Sequence, residues 1–224
     1  MRVEIANGPA FATGTFDVGA GAEVKVEAGA MAAMTGDVEI ETKAQGGLLG
    51  GLKRSVLGGE SFFVNTFRSQ QGGHIVVAPK LPGDIRLLPI TGGTWFVQSG
   101  SWIASDPTID VDTKWGGAKT FFGGEGLFLL KCTGTGDVLV SSYGAIVERE
   151  LRAGESYVVD TGHIVAFPEG VTYAVEKANN WKTAILGAEG LVTRFQGPGT
   201  VWLQTRSEQD LLGWVKAHIP RTSN

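Results

Sequence analysis

Short runs in which apolar and polar residues alternate recur along the whole chain, and glycines punctuate them. Glu23-Val24-Lys25-Val26-Glu27 alternates with period two, and Tyr157-Val158-Val159 is a compact aromatic and β-branched run. Both patterns fit half-buried strands, whose side chains point to opposite faces in turn. Each lies between two glycines eight positions apart, Gly21 with Gly29 and Gly154 with Gly162. A third such pair, Gly92 with Gly100, encloses Trp95-Phe96-Val97. Glycine at both ends suits turns that demand positive φ.

The echo extends downstream. Stretches 29–43, 100–114 and 162–177 each run from a glycine through an apolar hook and a turn into an alternating strand. Stretches 58–68, 123–134 and 187–197 place glycine beside Glu60, Glu125 and Glu189 and continue into an apolar strand. A further β run closes each: His74-Ile75-Val76-Val77, Val138-Leu139-Val140 and Thr200-Val201-Trp202-Leu203. Self-similarity in a fixed order predicts an internal triplication. Its repeats cover about 1–80, 81–146 and 147–206 of a single domain spanning 1–224. Many short strands with glycine turns predict an all-β body. At the end, Ser207 and Asp210 take capping-box spacing, and Leu211, Leu212, Val215 and Ile219 form an apolar stripe before Pro220. A short C-terminal helix over about 207–219, docked on the β body, is expected.

Composition narrows the picture. A net charge of -4 argues against a nucleic-acid partner, because phosphate contact needs a basic face. The lone Cys132 cannot form an internal disulfide, and its apolar surroundings at 126–132 predict a buried structural thiol. No apolar run reaches the ~18 residues of a membrane helix, and no signal peptide or Arg-rich presequence opens the sequence. A cytoplasmic location is the expectation.

Candidate chemistry is sparse. The three histidines, His74, His163 and His218, lie far apart in sequence, so no metal ligand set is assigned. Asp110 and Asp112 share one strand face, as Glu39 and Glu41 do, and read as solvent-facing positions rather than a catalytic dyad. The repeated Glu60, Glu125 and Glu189 read as structural. No Gly-x-Ser-x-Gly elbow occurs, and the tryptophans read as core packing. No catalytic residue and no cofactor is assigned.

One stretch stands out, GGLLGGLKRSVLGG at 46–59. Gly46 and Gly51 have P-loop spacing, but Leu52 stands where the lysine should be. Two readings remain open. It is a β-hairpin loop, or its Leu48, Leu49, Leu52, Val56 and Leu57, with Lys53 and Arg54, form an apolar tip with a basic collar. Such a tip is costly in water unless it meets a partner. A sister subunit is favoured over a membrane, since one Lys-Arg pair supplies only about 2 kcal/mol of attraction to an anionic bilayer.

The runs 46–67, 123–144 and 194–207 resemble the altered inheritance of mitochondria protein 24 family and its bacterial relatives. The resemblance covers nearly the whole chain. It implies a double-stranded β-helix, TRAP-like in being similar to the subunit of the tryptophan RNA-binding attenuation protein, with three β repeats in pseudo-threefold arrangement. The mitochondrial relatives are associated with the inner membrane, whereas this sequence is identified as a bacterial member. The family has no agreed catalytic residues to transfer.

The expected function is a non-enzymatic scaffold or interaction protein that self-associates as a homo-oligomer, with an unknown protein partner and peripheral membrane contact left open. Residues 48, 49, 52, 53, 54 and 57 are the candidate contacts. Alternatives are a small-ligand or RNA binder, by analogy with the attenuation protein, and a metal-dependent β-helix enzyme.

Overall fold

A computed structural model describes residues 2–42, 56–57, 60–113, 128–177 and 191–219. The chain opens with β1 (Val3–Ala6), β2 (Thr13–Val18), β3 (Glu23–Glu27), β4 (Met31–Met34) and β5 (Val38–Thr42). The two-residue strands β6 (Val56–Leu57) and β7 (Glu60–Ser61) follow, then β8 (Val64–Ser69) and β9 (Gly73–Val77). The middle holds β10 (Ile85–Gln98), β11 (Trp102–Ser105), β12 (Ile109–Asp112) and β13 (Leu129–Ser141). The last part holds β14 (Ile146–Leu151), β15 (Ser156–Asp160), β16 (Ile164–Pro168), β17 (Thr172–Lys177), β18 (Leu191–Gln196) and β19 (Gly199–Gln204). One helix, α1 (Glu208–His218), ends it. The fold is mostly β, with many antiparallel strands and one short C-terminal helix.

Alternation decides which faces go inside. In β3, Val24 and Val26 are buried while Glu23, Lys25 and Glu27 stay partly exposed. The polar face then finds partners: Lys25 Nζ donates to the Ile109 carbonyl at 2.7 Å, Lys80 Nζ donates to Glu27 Oε1 at 2.7 Å, and Arg68 pairs with Glu23. In β12, Ile109 and Val111 are buried, Asp110 is exposed and Asp112 is half-buried. Of that carboxylate pair, Asp110 faces solvent as expected and Asp112 only in part.

The main sheet runs β14-β19-β16-β10-β13-β11-β3-β8-β5, with β12 also on β13. Smaller sheets run β1-β2-β9-β4 and β15-β18-β17. Strands β10 and β13 form the longest ladder, from Ile85 opposite Ser141 to Gln98 opposite Leu129, with a shift between Thr91 and Gly93. Gly134 lies opposite that shift with φ +136°, and a Cβ there would sit 2.5 Å from the Thr108 carbonyl oxygen. Only glycine lets β12 approach so closely. A similar irregularity occurs between Met31 and Ala33, Trp102 and Ala104, and Ile164 and Ala166. Each begins two residues after Gly29, Gly100 or Gly162.

Three apolar clusters fill the interior. One centres on Phe16, Val26, Phe67 and Ile75 and draws in Ile103 and Leu139. A second centres on Leu88, Trp102, Leu130 and Val140. The third gathers Phe96, Phe167, Phe195, Ile164 and Val201. Each buried large side chain contributes about 1.5–3 kcal/mol of transfer free energy, so these clusters drive the fold.

The helix meets expectation in part. Ser207 is its N-cap, accepting the Asp210 N–H at 3.1 Å, as the sequence spacing predicts. No residue of α1 is fully buried, but Leu211 and Val215 of the apolar stripe are half-buried while Leu212 and Ile219 are exposed. Its first turn meets the β body, where Glu208 and Gln209 line a cavity together with Gly162 and Gln204.

Candidate interaction site

Most of the sequence-predicted contact residues, Leu48, Leu49, Leu52, Lys53 and Arg54, lie outside the described residues. Leu57 ends β6 and pairs with Glu60 of β7. The side chain of Glu60 and all of Glu125 and Glu189 lie outside the description as well.

Cys132 is fully buried on β13, with Val111 of β12 as its ladder partner. Burial pushes its thiol up to about 12. A thiol held so firmly protonated is a core side chain and not a nucleophile. Burial also lowers the pKa of the nearby Lys25, and Asp110 acts in the opposite sense.

The histidines stay apart. His74 is on β9, and His218 stacks on Trp214 at 4.4 Å while its Nδ1 contacts the Trp214 carbonyl. His163 lies in the single turn Thr161–His163, with Nδ1 2.7 Å from the Gln204 carbonyl oxygen. Among the described residues, no group of three or more His, Cys, Asp or Glu side chains could hold a metal ion.

A cavity of about 260 Å³ with a mixed polar and apolar lining opens where distant parts of the chain meet. Its lining includes Glu27, Lys80, Gln98, Ser141, Gln204 and Glu208. Sequence reasoning missed it, because its groups come from strand ends far apart in sequence. Gln204 is internally satisfied: its Nε2 donates to the Gly162 carbonyl at 2.7 Å and its Oε1 accepts the Tyr143 N–H at 2.8 Å. Buried Gln98 accepts the Ser101 hydroxyl through Oε1. Ser141 is buried at the same cavity.

Strand edges form a second feature. Strand β4 pairs with β9 on one side, and β15 pairs with β18 on one side. Among the described residues neither has a neighbour on its other side. Ala32, Ala33 and Met34 of β4 are exposed, as is Val158 of β15. The tip at Asn7–Ala12 adds Phe11, which is 71% exposed although its N–H donates to the Asn7 carbonyl.

Comparison with known proteins agrees with this architecture. A family described as mitochondrial biogenesis AIM24 matches residues 3–206. An uncharacterised protein of Streptococcus pyogenes serotype M6 is 28% identical over 232 aligned positions, which cover 100% of this chain and 93% of the relative. The X-ray structure of a Streptococcus pyogenes protein superposes with a TM-score of 0.81 at 27% identity, covering 97% of this chain and 99% of that one. Among the described residues, no helix is long and apolar enough to cross a membrane.

Proposed function

This chain belongs to the mitochondrial biogenesis AIM24 family, and from that premise we propose that it is a non-enzymatic scaffold protein that self-associates. The observation that carries the proposal is the apolar surface on ordered elements. Met34 on β4, Val158 on β15, and Leu212 and Trp214 on α1 all stand in solvent. Exposed apolar groups scattered singly are ordinary, but strand edges bearing them invite a partner. The 46–59 stretch, with its leucines and its Lys53-Arg54 pair, is proposed to add to that surface.

The same reading takes the chain as three copies of one strand unit in a double-stranded β-helix of pseudo-threefold, TRAP-like arrangement. Support comes from the recurring register irregularity two residues after Gly29, Gly100 and Gly162. Support also comes from the matching ladders β3–β8–β5 and β15–β18–β17, with β12 and β10 flanking β13.

The test is the solution mass by light scattering, for wild type and a Leu48/Leu49/Leu52→Ser variant. Wild type is expected at a multiple of 23.6 kDa. A shift of the variant to the single-chain mass assigns self-association to the 46–59 stretch. A wild type that stays at the single-chain mass at high concentration removes the scaffold reading.

A second reading, a small-ligand binder, is favoured by the polar side chains that line the cavity, buried Gln98 and Ser141 among them. Its volume lies just below the roughly 300–1,000 Å³ of drug-sized sites, so the ligand is small. Hydroxyl groups, which both donate and accept, match an amide donor and a serine hydroxyl. Melting-temperature shifts with a panel of neutral polyols, lost in Ser141→Ala, are expected; a panel without effect on wild type removes this reading.

A further inference from the structure

Two seams of this fold are built alike. Counting from Gly29, Gly100 and Gly162, the strand before each glycine is β3, the end of β10, and β15; the strand after each is β4, β11 and β16. At one seam β3 pairs antiparallel with β11, placing Val26 opposite Ala104 and Lys25 opposite Ser105. At the other, β10 pairs antiparallel with β16, placing Val97 opposite Ala166 and Phe96 opposite Phe167. Val26 and Val97 each stand three residues before their glycine, and Ala104 and Ala166 four after theirs. The register is the same at both.

One strand of each kind is left over, β15 and β4. The residues at matching distances from their glycines are Val159 with Ala33 and Val158 with Met34. No ladder joins these strands within the chain among the described residues. Ala104 and Ala166 are fully buried, whereas their counterpart Ala33 is exposed. Phe96 and Phe167 pack at 5.3 Å, whereas their counterparts Val158 and Met34 are 45% and 38% exposed. Neither leftover strand carries a lysine or proline, the residues that commonly protect an open edge.

We propose that β4 of one copy adds to β15 of a second copy, with Ala33 opposite the second copy's Val159 and Met34 opposite its Val158. This rests on the self-association reading and names its interface. The occupant is a second copy because the chain already makes this ladder twice, from the same two kinds of strand in the same register. Main-chain hydrogen bonds supply the affinity and the apolar pair the register, as in other strand additions. Because two different strands meet, a single contact leaves one β4 and one β15 open, so the assembly closes by reciprocal exchange between two copies or continues into a larger ring or a filament.

Cross-linking in trans tests it. Met34→Cys protein is mixed with Val158→Cys protein and oxidised, and a disulfide-linked species of twice the chain mass is expected. Opposed residues in antiparallel strands are about 4.5–5.5 Å apart between Cα atoms, within the roughly 4.4–6.8 Å that a disulfide spans. Phe11→Cys mixed with Met34→Cys serves as the collision control and is expected to yield little product. Both strand positions are exposed, so the variants are expected to fold, which circular dichroism checks. An oligomeric wild type without the cross-link overturns the interface and leaves self-association standing. A wild type of single-chain mass removes both. A Met34→Cys/Val158→Cys double variant that cross-links only within itself shows that the seam closes inside one chain, which also overturns the proposal.

Discussion

Phe96 of β10 and Phe167 of β16 are directly opposed across a seam of the main sheet, with ring centroids 5.3 Å apart and planes tilted by 53°. Aromatic pairs in such tilted arrangements contribute about 0.5–1.5 kcal/mol beyond the area they bury. Phe167 also meets Tyr173 and Phe195, each with centroids at 5.0 Å, so one side chain ties β10, β16, β17 and β18 together.

Truncating it is therefore expensive. Phe167→Ala is expected to destabilise the protein by about 3–5 kcal/mol, the usual range for a buried phenylalanine. Urea unfolding followed by intrinsic fluorescence measures it. A loss below about 1 kcal/mol would mean the aromatic cluster does not hold the seam.

The Cys132 thiol gives a pH-dependent prediction. Its folded pKa is raised to about 12 from an ordinary value of 9.0 by burial. The folded state therefore holds this proton more tightly than the unfolded chain. The associated stability is complete below pH 9 and is lost as pH rises toward 12, at about 1.4 kcal/mol per unit across the window. Cys132→Ala should flatten that alkaline slope in denaturant titrations. Native protein at pH 9 should also resist iodoacetamide, while urea-unfolded protein should react.

Helix α1 has a side-chain cap at Ser207 and no fully buried residue of its own. Ser207→Ala removes the side-chain acceptor of the Asp210 N–H and should cost the helix about 1 kcal/mol. A Cβ at Gly213 would meet nothing within 4 Å, so Gly213→Ala should add about 1 kcal/mol of helix stability. Far-ultraviolet circular dichroism should register both, in opposite directions. The β-sheet unfolding midpoint should barely move, because α1 buries no residue.

Gly83 marks a close approach of two backbones. It bridges Gly144 in parallel, and a Cβ on it would lie 1.7 Å from the Ser142 carbonyl oxygen. Gly83→Ala should force the segments apart, disturbing the Asp84 N–H to Gly144 carbonyl bond at 3.0 Å. A lowered melting temperature with faster amide exchange at Asp84 and Ser142 is expected; wild-type exchange would show that the contact opens freely.

Local pattern made several elements legible. The alternation at Glu23–Glu27 is strand β3, the run at 157–159 lies in β15, and His74–Val77 lies in β9. Ser207 caps α1, and Cys132 is buried. Each of these depends on a few consecutive residues: side chains that alternate between two faces, a hydroxyl three positions before an amide, a thiol in an apolar run. The candidate contacts from Leu48 to Arg54 lie outside the described residues, and no local signal pointed to the cavity or the open edges.

What sequence by itself determined is thus where strands and the helix run and which of their faces turn inward. Tertiary structure decided which edges meet. Lys25 reaches the Ile109 carbonyl across 84 residues of chain, and Phe96 finds Phe167 rather than another strand. It also decided that β4 leaves Ala33 and Met34 exposed and that Leu212 and Ile219 of the apolar stripe stay exposed while Leu211 and Val215 are half-buried. The physical reason is that periodicity and φ preference are properties of neighbouring residues. A ladder, a seam or a docking face exists only when distant segments are brought together, and that depends on how the whole core packs.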